Sequence, residues 1–377
     1  MSPAVTLASR IANKASCSAI EPRLPRRTPA LLAWVGVLLL GVSISRAAET
    51  EPGATLAPDA IGGYRVPHTR LWLGGYASIE GTVPESGPAS LGFGDLGLLL
   101  RYELTPTVAF FNETVLDDTV SLVEHSGLER GSRVLLLERL YLDWSVAPRL
   151  TLRLGKFLTP FGIWNVIRRA PLTWTVDRPV ATQSAFPDHT TGLGLIYQTT
   201  RHGWSLDATA YGQAQDELVR GASDISASAV GGGRVVAGHS IGPAYLAWGA
   251  SATAFENTDT NLWEDAYGTD VDLTYRGNQL TGEFAYSRLR QRDASRETSF
   301  YVQDVVPLVG TLYGVLRFEH IEPRRGPTVN GELLGIAWRV RPHVILKADY
   351  QFADHEGDPR ARSDLERGFR AGVTLFF

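Results

Sequence analysis

Residues 95–116 read DLGLLLRYELTPTVAFFNETVL, and the fold turns on how this stretch is understood. Leu96, Leu98, Leu100, Tyr102 and Leu104 fall on one parity; Asp95, Arg101 and Glu103 fall on the other. A period of two is the mark of a half-buried β-strand. Thr105-Pro106 then breaks the run, and a second strand follows over 107–116. Together they make a hairpin with a tight turn.

The same pattern extends in both directions. In 344–353, Leu346, Ala348, Tyr350 and Phe352 oppose Lys347, Asp349 and Gln351. At the end of the chain, Phe369, Ala371, Val373, Leu375 and Phe377 share a face. Sixteen such runs are expected, near 70–79, 92–104, 107–116, 133–146, 150–158, 191–200, 204–213, 224–237, 244–254, 267–275, 279–288, 298–305, 311–319, 330–340, 344–353 and 367–377. A soluble sandwich also alternates, with its apolar face turned to a core. The connections separate the two cases. Those after even strands are short, as at Pro148-Arg149, Arg201-His202-Gly203, Ile241-Gly242-Pro243, Arg276-Gly277-Asn278, Pro307-Leu308-Val309 and Arg341-Pro342-His343. Those after odd strands are long. Short periplasmic turns and long external loops are the asymmetry of a transmembrane antiparallel up-and-down β-barrel.

Composition agrees. No apolar run reaches the roughly 18 residues of a spanning helix. Ala30 to Val42 is the longest, preceded by Arg23, Arg26 and Arg27 and followed by Ser45-Arg46-Ala47. This is the layout of a signal peptide over residues 1–47. A Pro- and Gly-rich periplasmic leader is expected over 48–69 and the barrel over 70–377. Residues 1–47 hold six of the 36 basic and one of the 40 acidic residues, so the remainder carries 30 against 39, a net of −9. That balance argues against a nucleic-acid partner. The single cysteine, Cys17, leaves with the signal, which excludes a disulfide framework and a cysteine nucleophile.

The third long connection, 159–190, carries four prolines with Trp164 and Trp174. A loop of that length is usually functional or disordered, and this one is too apolar for plain disorder. Folded into the lumen, it would narrow the pore. Arg168, Arg169, Asp177, Arg178 and Asp188 would then set the field at the constriction. The bland alternative is a cap on the barrel or a subunit contact. Strand charges form a second set: Arg101, Arg133, Arg139, Asp143, Arg153, Asp207, Asp270, Asp272, Glu283, Arg317, Glu319, Lys347, Asp349 and Arg370. Facing lipid they would be costly, so they are expected on the lumen wall. There they either form a transverse field or pair with one another. Glu138 breaks this rule, sitting with Val134, Leu136 and Leu140, which calls for a bulge or a subunit contact.

Trp72, Tyr76, Tyr102, Trp144, Trp204, Tyr211, Trp248, Tyr275, Tyr286, Trp338 and Phe377 are expected in interfacial girdles. The eight histidines fall in expected loops and turns without metal-ligand spacing. Neither a metal nor a cofactor is implied. The acidic loops around Glu256 and Glu264 could bridge divalent cations to lipopolysaccharide, though solvated loops are the simpler reading.

The segment Arg153-Leu154-Gly155-Lys156-Phe157-Leu158-Thr159-Pro160-Phe161-Gly162, with LERLYLDW before it at 137–144, resembles porins similar to the phosphate-selective family. Phe377 at the end of an alternating strand resembles the assembly signal of outer-membrane proteins. The likeness covers about 50 residues around the third loop and the last ten. It implies an outer-membrane barrel of a Gram-negative bacterium, inserted by the barrel assembly machinery among lipid and lipopolysaccharide and often trimeric. Phosphate selectivity is not implied, because the chain has only Lys14, Lys156 and Lys347. Any anion preference rests on Arg168, Arg169 and Arg178. The function expected is a passive diffusion channel for small hydrophilic solutes or ions, without a catalytic centre. Two alternatives stay open: a structural or adhesive barrel without a pore, and a lipid hydrolase using Ser184 and His189.

Overall fold

The computed structural model describes residues 63–377 apart from 118–119, 131–134, 184, 219–224, 292–294, 356–364 and 366. The proposed signal peptide and most of the leader lie outside the described residues, as does Arg133.

Sixteen antiparallel strands form the wall. They are β1 (Leu71–Pro84), β2 (Ser90–Glu103), β3 (Val108–Asp117), β4 (Leu136–Ala147), β5 (Leu150–Leu158), β6 (His189–Arg201), β7 (Trp204–Gln213) and β8 (Ala227–Ile241). The second half comprises β9 (Ala244–Asn257), β10 (Leu262–Tyr275), β11 (Asn278–Leu289), β12 (Arg296–Val309), β13 (Leu312–Glu322), β14 (Val329–Arg341), β15 (Val344–His355) and β16 (Gly368–Phe376). Each pairs with its sequence neighbours, and β16 pairs with β1 from Gly368↔Pro84 to Phe376↔Tyr76. Closure leaves no open sheet edge, the arrangement a lipid environment demands of strands. Tyr64–Arg65 adds a short strand to the foot of β1. Val120–Val123 and Gly127–Arg130 form a hairpin in the second long loop, and the first of them continues the pairing with β2. Among the described residues, no helix is long and apolar enough to cross a membrane.

The wall is inverted relative to a soluble sheet. Leu98 is 53% exposed while its neighbour Leu99 is 6% exposed. Leu154, Leu193, Leu195, Val235, Leu316, Leu334 and Ile336 are likewise exposed on the outward parity. Inward positions instead bury Glu113, Asp270, Glu283, Arg317, Glu319, Lys347, Asp349 and Arg370. A continuous apolar exterior of this kind is a membrane surface. Trp144, Trp204, Trp248, Tyr275 and Trp338 are exposed on it toward the short-turn end, with Tyr102 and Phe377. They form one girdle. Tyr286 belongs to the lipid-facing parity nearer the long loops.

Three of the expected girdle residues are corrected. Tyr76 and Tyr211 are buried on the inward parity, and Trp72 shares that parity at the rim, opposite Arg101. The turn after β12 is also displaced. Pro307 to Val309 belong to the strand, which slips register there, and the chain turns at Gly310 with φ 57°. Proline lacks a ladder donor and is tolerated at a bulge, while glycine takes the left-handed turn position. Four histidines lie in strands rather than loops: His239 in β8, His320 in β13, His189 as the first residue of β6, and His355 as the last of β15.

Glu138 is explained by a bulge. Glu113 pairs with Arg139 and Thr114 with Leu137, so Glu138 is the extra residue of β4. A bulge re-aims a side chain that strict alternation would send outward.

Candidate functional site

The third loop, residues 159–188, begins where β5 ends and contacts strands on the far side of the barrel. Arg234 of β8 donates to the Gly162 carbonyl at 2.7 Å. Glu283 of β11 accepts the Trp164 amide at 2.9 Å. Asp349 of β15 accepts the Val176 amide at 2.9 Å. Lys347 Nζ donates to the Ala170 carbonyl, the Thr173 hydroxyl and the Thr175 carbonyl at 2.7, 2.6 and 3.1 Å. All four wall residues are on the inward parity, so the loop runs inside the barrel.

The loop's sequence explains the path. Its four prolines prevent a helix from propagating, leaving two short 3-10 turns, Ala170–Leu172 and Val180–Thr182. Its apolar residues then bury against the wall. Phe161 stacks on Phe186 with centroids 4.1 Å apart, in a cluster with Phe111, Tyr141, Phe157 and Tyr211. Trp164, Val180 and Ala181 pack with Tyr301, Ile321 and Val329. Trp174 reaches farthest toward the short-turn end. Its indole donates to Gln279 at 2.8 Å, and its ring lies 4.9 Å from Tyr313.

The loop charges take different roles. Arg169 is 2% exposed and grips Glu113 with two hydrogen bonds of 2.8 and 3.0 Å. Arg139 joins the same carboxylate at 2.7 Å, and the Tyr76 hydroxyl donates to it at 3.2 Å. Burial works against the Arg169 charge, but the Glu113 field and hydrogen bonds outweigh it and raise the guanidinium above its ordinary pKa. Arg168 spans Glu138 and Asp188, both at 2.6 Å, and lies 2.7 Å from His189 Nε2. His189 in turn lies 3.4 Å from Glu217, which pairs with Lys156 at 2.7 Å. Asp177 contacts Arg370, and Arg317 reaches the Asp177 carbonyl at 3.0 Å while pairing with Glu319 at 2.8 Å. Arg178 stands apart. It is half-buried, and burial and the Arg168 guanidinium lower its pKa against the opposing pull of Asp188 and Glu138. An arginine so shifted still keeps its charge at neutral pH.

The wall charges also divide. Arg153 holds Asp143 in a bidentate pair of 2.7 and 2.8 Å and covers the Tyr141 ring at 3.9 Å. Arg234 pairs with Asp270 at 2.8 Å. Among the described residues, Asp272 accepts only from Gln279, at 3.2 and 3.3 Å, and Asp207 only from Gln198, at 2.7 Å. Arg101 is 3.9 Å from Glu103, both about half exposed. Arg339 covers the Trp174 ring at 4.5 Å and carries a buried Nε without a partner. Arg339, Glu217, Lys156 and Glu113 are parts of the site that the sequence did not single out for it. Arg339 and Glu113 stand at inward positions that strand parity could have found.

Among the described residues, no group of histidine, cysteine and acidic side chains is arranged to hold a metal ion. Ser184 lies outside the described residues, and His189 is engaged with Glu138, Arg168 and Glu217.

No protein-family model matches the chain. A relative from Aquifex aeolicus, itself an uncharacterized protein, is 25% identical, with 87% of this chain and 84% of the relative covered. Among solved structures, the chain is similar to an anion-selective porin from Comamonas acidovorans, at TM-score 0.51 and 15% identity, covering 82% of this chain and 98% of that one. It is also similar to OmpT, an outer-membrane protein of Vibrio cholerae in its trimer form, at TM-score 0.52 and 13% identity, covering 81% and 99%. At these identities the likeness establishes a shared barrel fold.

Proposed function

We propose that this chain is an outer-membrane porin, a passive diffusion channel for small hydrophilic solutes or ions. The observation that carries the reading is the third loop's course through a barrel with a charged interior and an apolar exterior. A wall of this kind encloses water, and a loop crossing it reduces the bore. Solutes move down their own gradients, filtered by size and by charge at the loop.

Within this reading the loop charges act in two ways. Arg168, Arg169 and Asp188 fix the loop to the wall through their ion pairs. Arg178, and the Asp177 carboxylate that stays half exposed beside Arg370, meet the permeating solute. The lumen wall contributes Arg101, Arg133, Arg139, Arg153, Asp272, Arg317, Asp349 and Arg370. The resemblance to phosphate-selective porins and the fold shared with an anion-selective porin support a modest anion preference, resting on Arg178. The chain acts without catalysis or cofactor, is exported by residues 1–47, and is inserted by the barrel assembly machinery with Phe377 as its signal. It sits among outer-membrane lipid and lipopolysaccharide as a homotrimer, an assembly form also found for OmpT.

Purified protein in a planar bilayer tests this. Stepwise conductance is expected; its absence sinks the channel reading. One observation favours a second outcome. The loop is tied to β3, β4, β8, β11, β13, β15 and β16 at once. A barrel so heavily braced could be a closed structural or adhesive one, and liposomes containing it would then remain impermeable to a small sugar.

A further inference from the structure

Among the described residues, three inward-facing charges at the short-turn end, Arg339, Asp207 and Asp272, have no ion pair, a fourth, Arg101, has only a loose one with the half-exposed Glu103 at 3.9 Å, and the signs of the four are segregated around the barrel. Arg101 lies two residues from the end of β2, and Arg339 two residues from the end of β14. Asp272 lies three residues from the end of β10, and Asp207 three residues from the start of β7. At roughly 3.4 Å per residue, all four stand within about 10 Å of the rim.

Strand order gives their placement. In a closed ring of sixteen strands, β2 and β10 are half a turn apart, and β14 and β7 nearly so. The basic arc runs from β14 through β16 to β2, where Glu103 at the rim offsets part of the Arg101 charge, and the acidic arc from β7 to β10. Lys347 of β15 belongs to the basic arc. Its ammonium contacts loop carbonyls and a hydroxyl. The turn arginines near the acidic arc lie on the lipid side. Arg276 covers the outward Tyr275 ring at 5.3 Å, and Arg201 stands opposite the outward Trp204. They leave the inward Asp207 and Asp272 uncancelled.

Pairs such as Arg153–Asp143 produce short-range fields, because each charge is neutralised within hydrogen-bond distance. Separated charges act across the lumen instead, and a low-dielectric wall focuses that field. We propose that the periplasmic mouth is a second filter, distinct from the third loop, that favours small zwitterions over neutral solutes of equal size. A zwitterion presents its carboxylate to the Arg101–Arg339 side and its ammonium to the Asp207–Asp272 side. Neutral solutes gain nothing, and simple ions of both signs find one attractive wall. Trp174 and Gln279 link the arcs along one side, since the indole stacks under Arg339 and bonds the amide that holds Asp272.

The proposal rests on the channel reading, so its test separates the two. Proteoliposomes would be assayed for swelling in glycine and in glycolamide, a neutral analogue of similar size, with arabinose as reference. Wild-type protein is expected to pass glycine about two- to threefold faster than glycolamide. The quadruple variant Arg101→Gln, Arg339→Gln, Asp207→Asn, Asp272→Asn should bring that ratio to about one while arabinose flux holds. The basic and acidic double variants should also shift the bilayer reversal potential in opposite directions. Conducting protein with an unchanged ratio overturns the mouth filter alone. No arabinose flux and no conductance overturns the channel and the filter together. A fully charge-exchanged variant, Arg101→Asp, Arg339→Asp, Asp207→Arg and Asp272→Arg, guards against misfolding of the quadruple, and it should retain part of the preference because separation rather than sense produces the field.

Discussion

The third loop and the mouth at the short-turn end carry similar numbers of charged side chains and use them in opposite ways. In the loop, Arg169 shares one buried carboxylate with Arg139 of β4, and Arg168 bridges two. At the mouth, Arg101 and Glu103 are half exposed at 3.9 Å, and Asp207 accepts from the Gln198 amide. Buried pairs fix geometry and project little field. Exposed separated charges fix nothing and project the field that solutes meet. Charge composition therefore says little about selectivity until the pairing is known.

The contrast breaks first at Glu113. Glu113→Gln would leave Arg139 and Arg169 buried without their carboxylate, and a loss of about 3–5 kcal/mol is expected. Urea unfolding in detergent, followed by tryptophan fluorescence, measures it. A loss below about 1 kcal/mol would mean that the pair does not brace the loop. Lys347→Met removes the donor to three loop acceptors, at about 1–3 kcal/mol. Single-channel conductance should rise as the loop loosens near Ala170 and Thr175; an unchanged conductance with lowered stability would place this anchor away from the solute path.

The smallest effects sharpen the comparison. Arg178→Gln should change stability by under about 0.5 kcal/mol, since no close partner is lost, yet move the reversal potential toward cations. Equal stability with no shift would remove Arg178 from the permeation path. Arg101→Gln at the mouth should be as mild in unfolding. Should it destabilise as much as Glu113→Gln, the division into bracing and field-forming charges would fail.

Much of the wall was legible from the chain. The run at 95–104 assigns its faces by parity alone, and Lys347, Asp349 and Gln351 face inward as the alternation requires. Parity also had the means to place Trp72 and Tyr76, which alternate with Leu71 and Leu73, yet an aromatic near a strand end suggested a girdle instead. The loop's partners were not legible. Nothing near Arg169 in sequence points to Glu113, 56 residues away, or ties Val176 to Asp349. Glu138 looked anomalous because one bulged residue shifts the parity on either side of it.

The sequence by itself determined the strand count, the alternation of turns and long loops, and which face of each strand is apolar. These depend on a two-residue period and on local turn chemistry, which act between near neighbours along the chain. Tertiary structure alone decided which charges cancel and which remain. Ion pairing across a lumen depends on barrel closure, on register, and on the path of one loop between strands far apart in sequence.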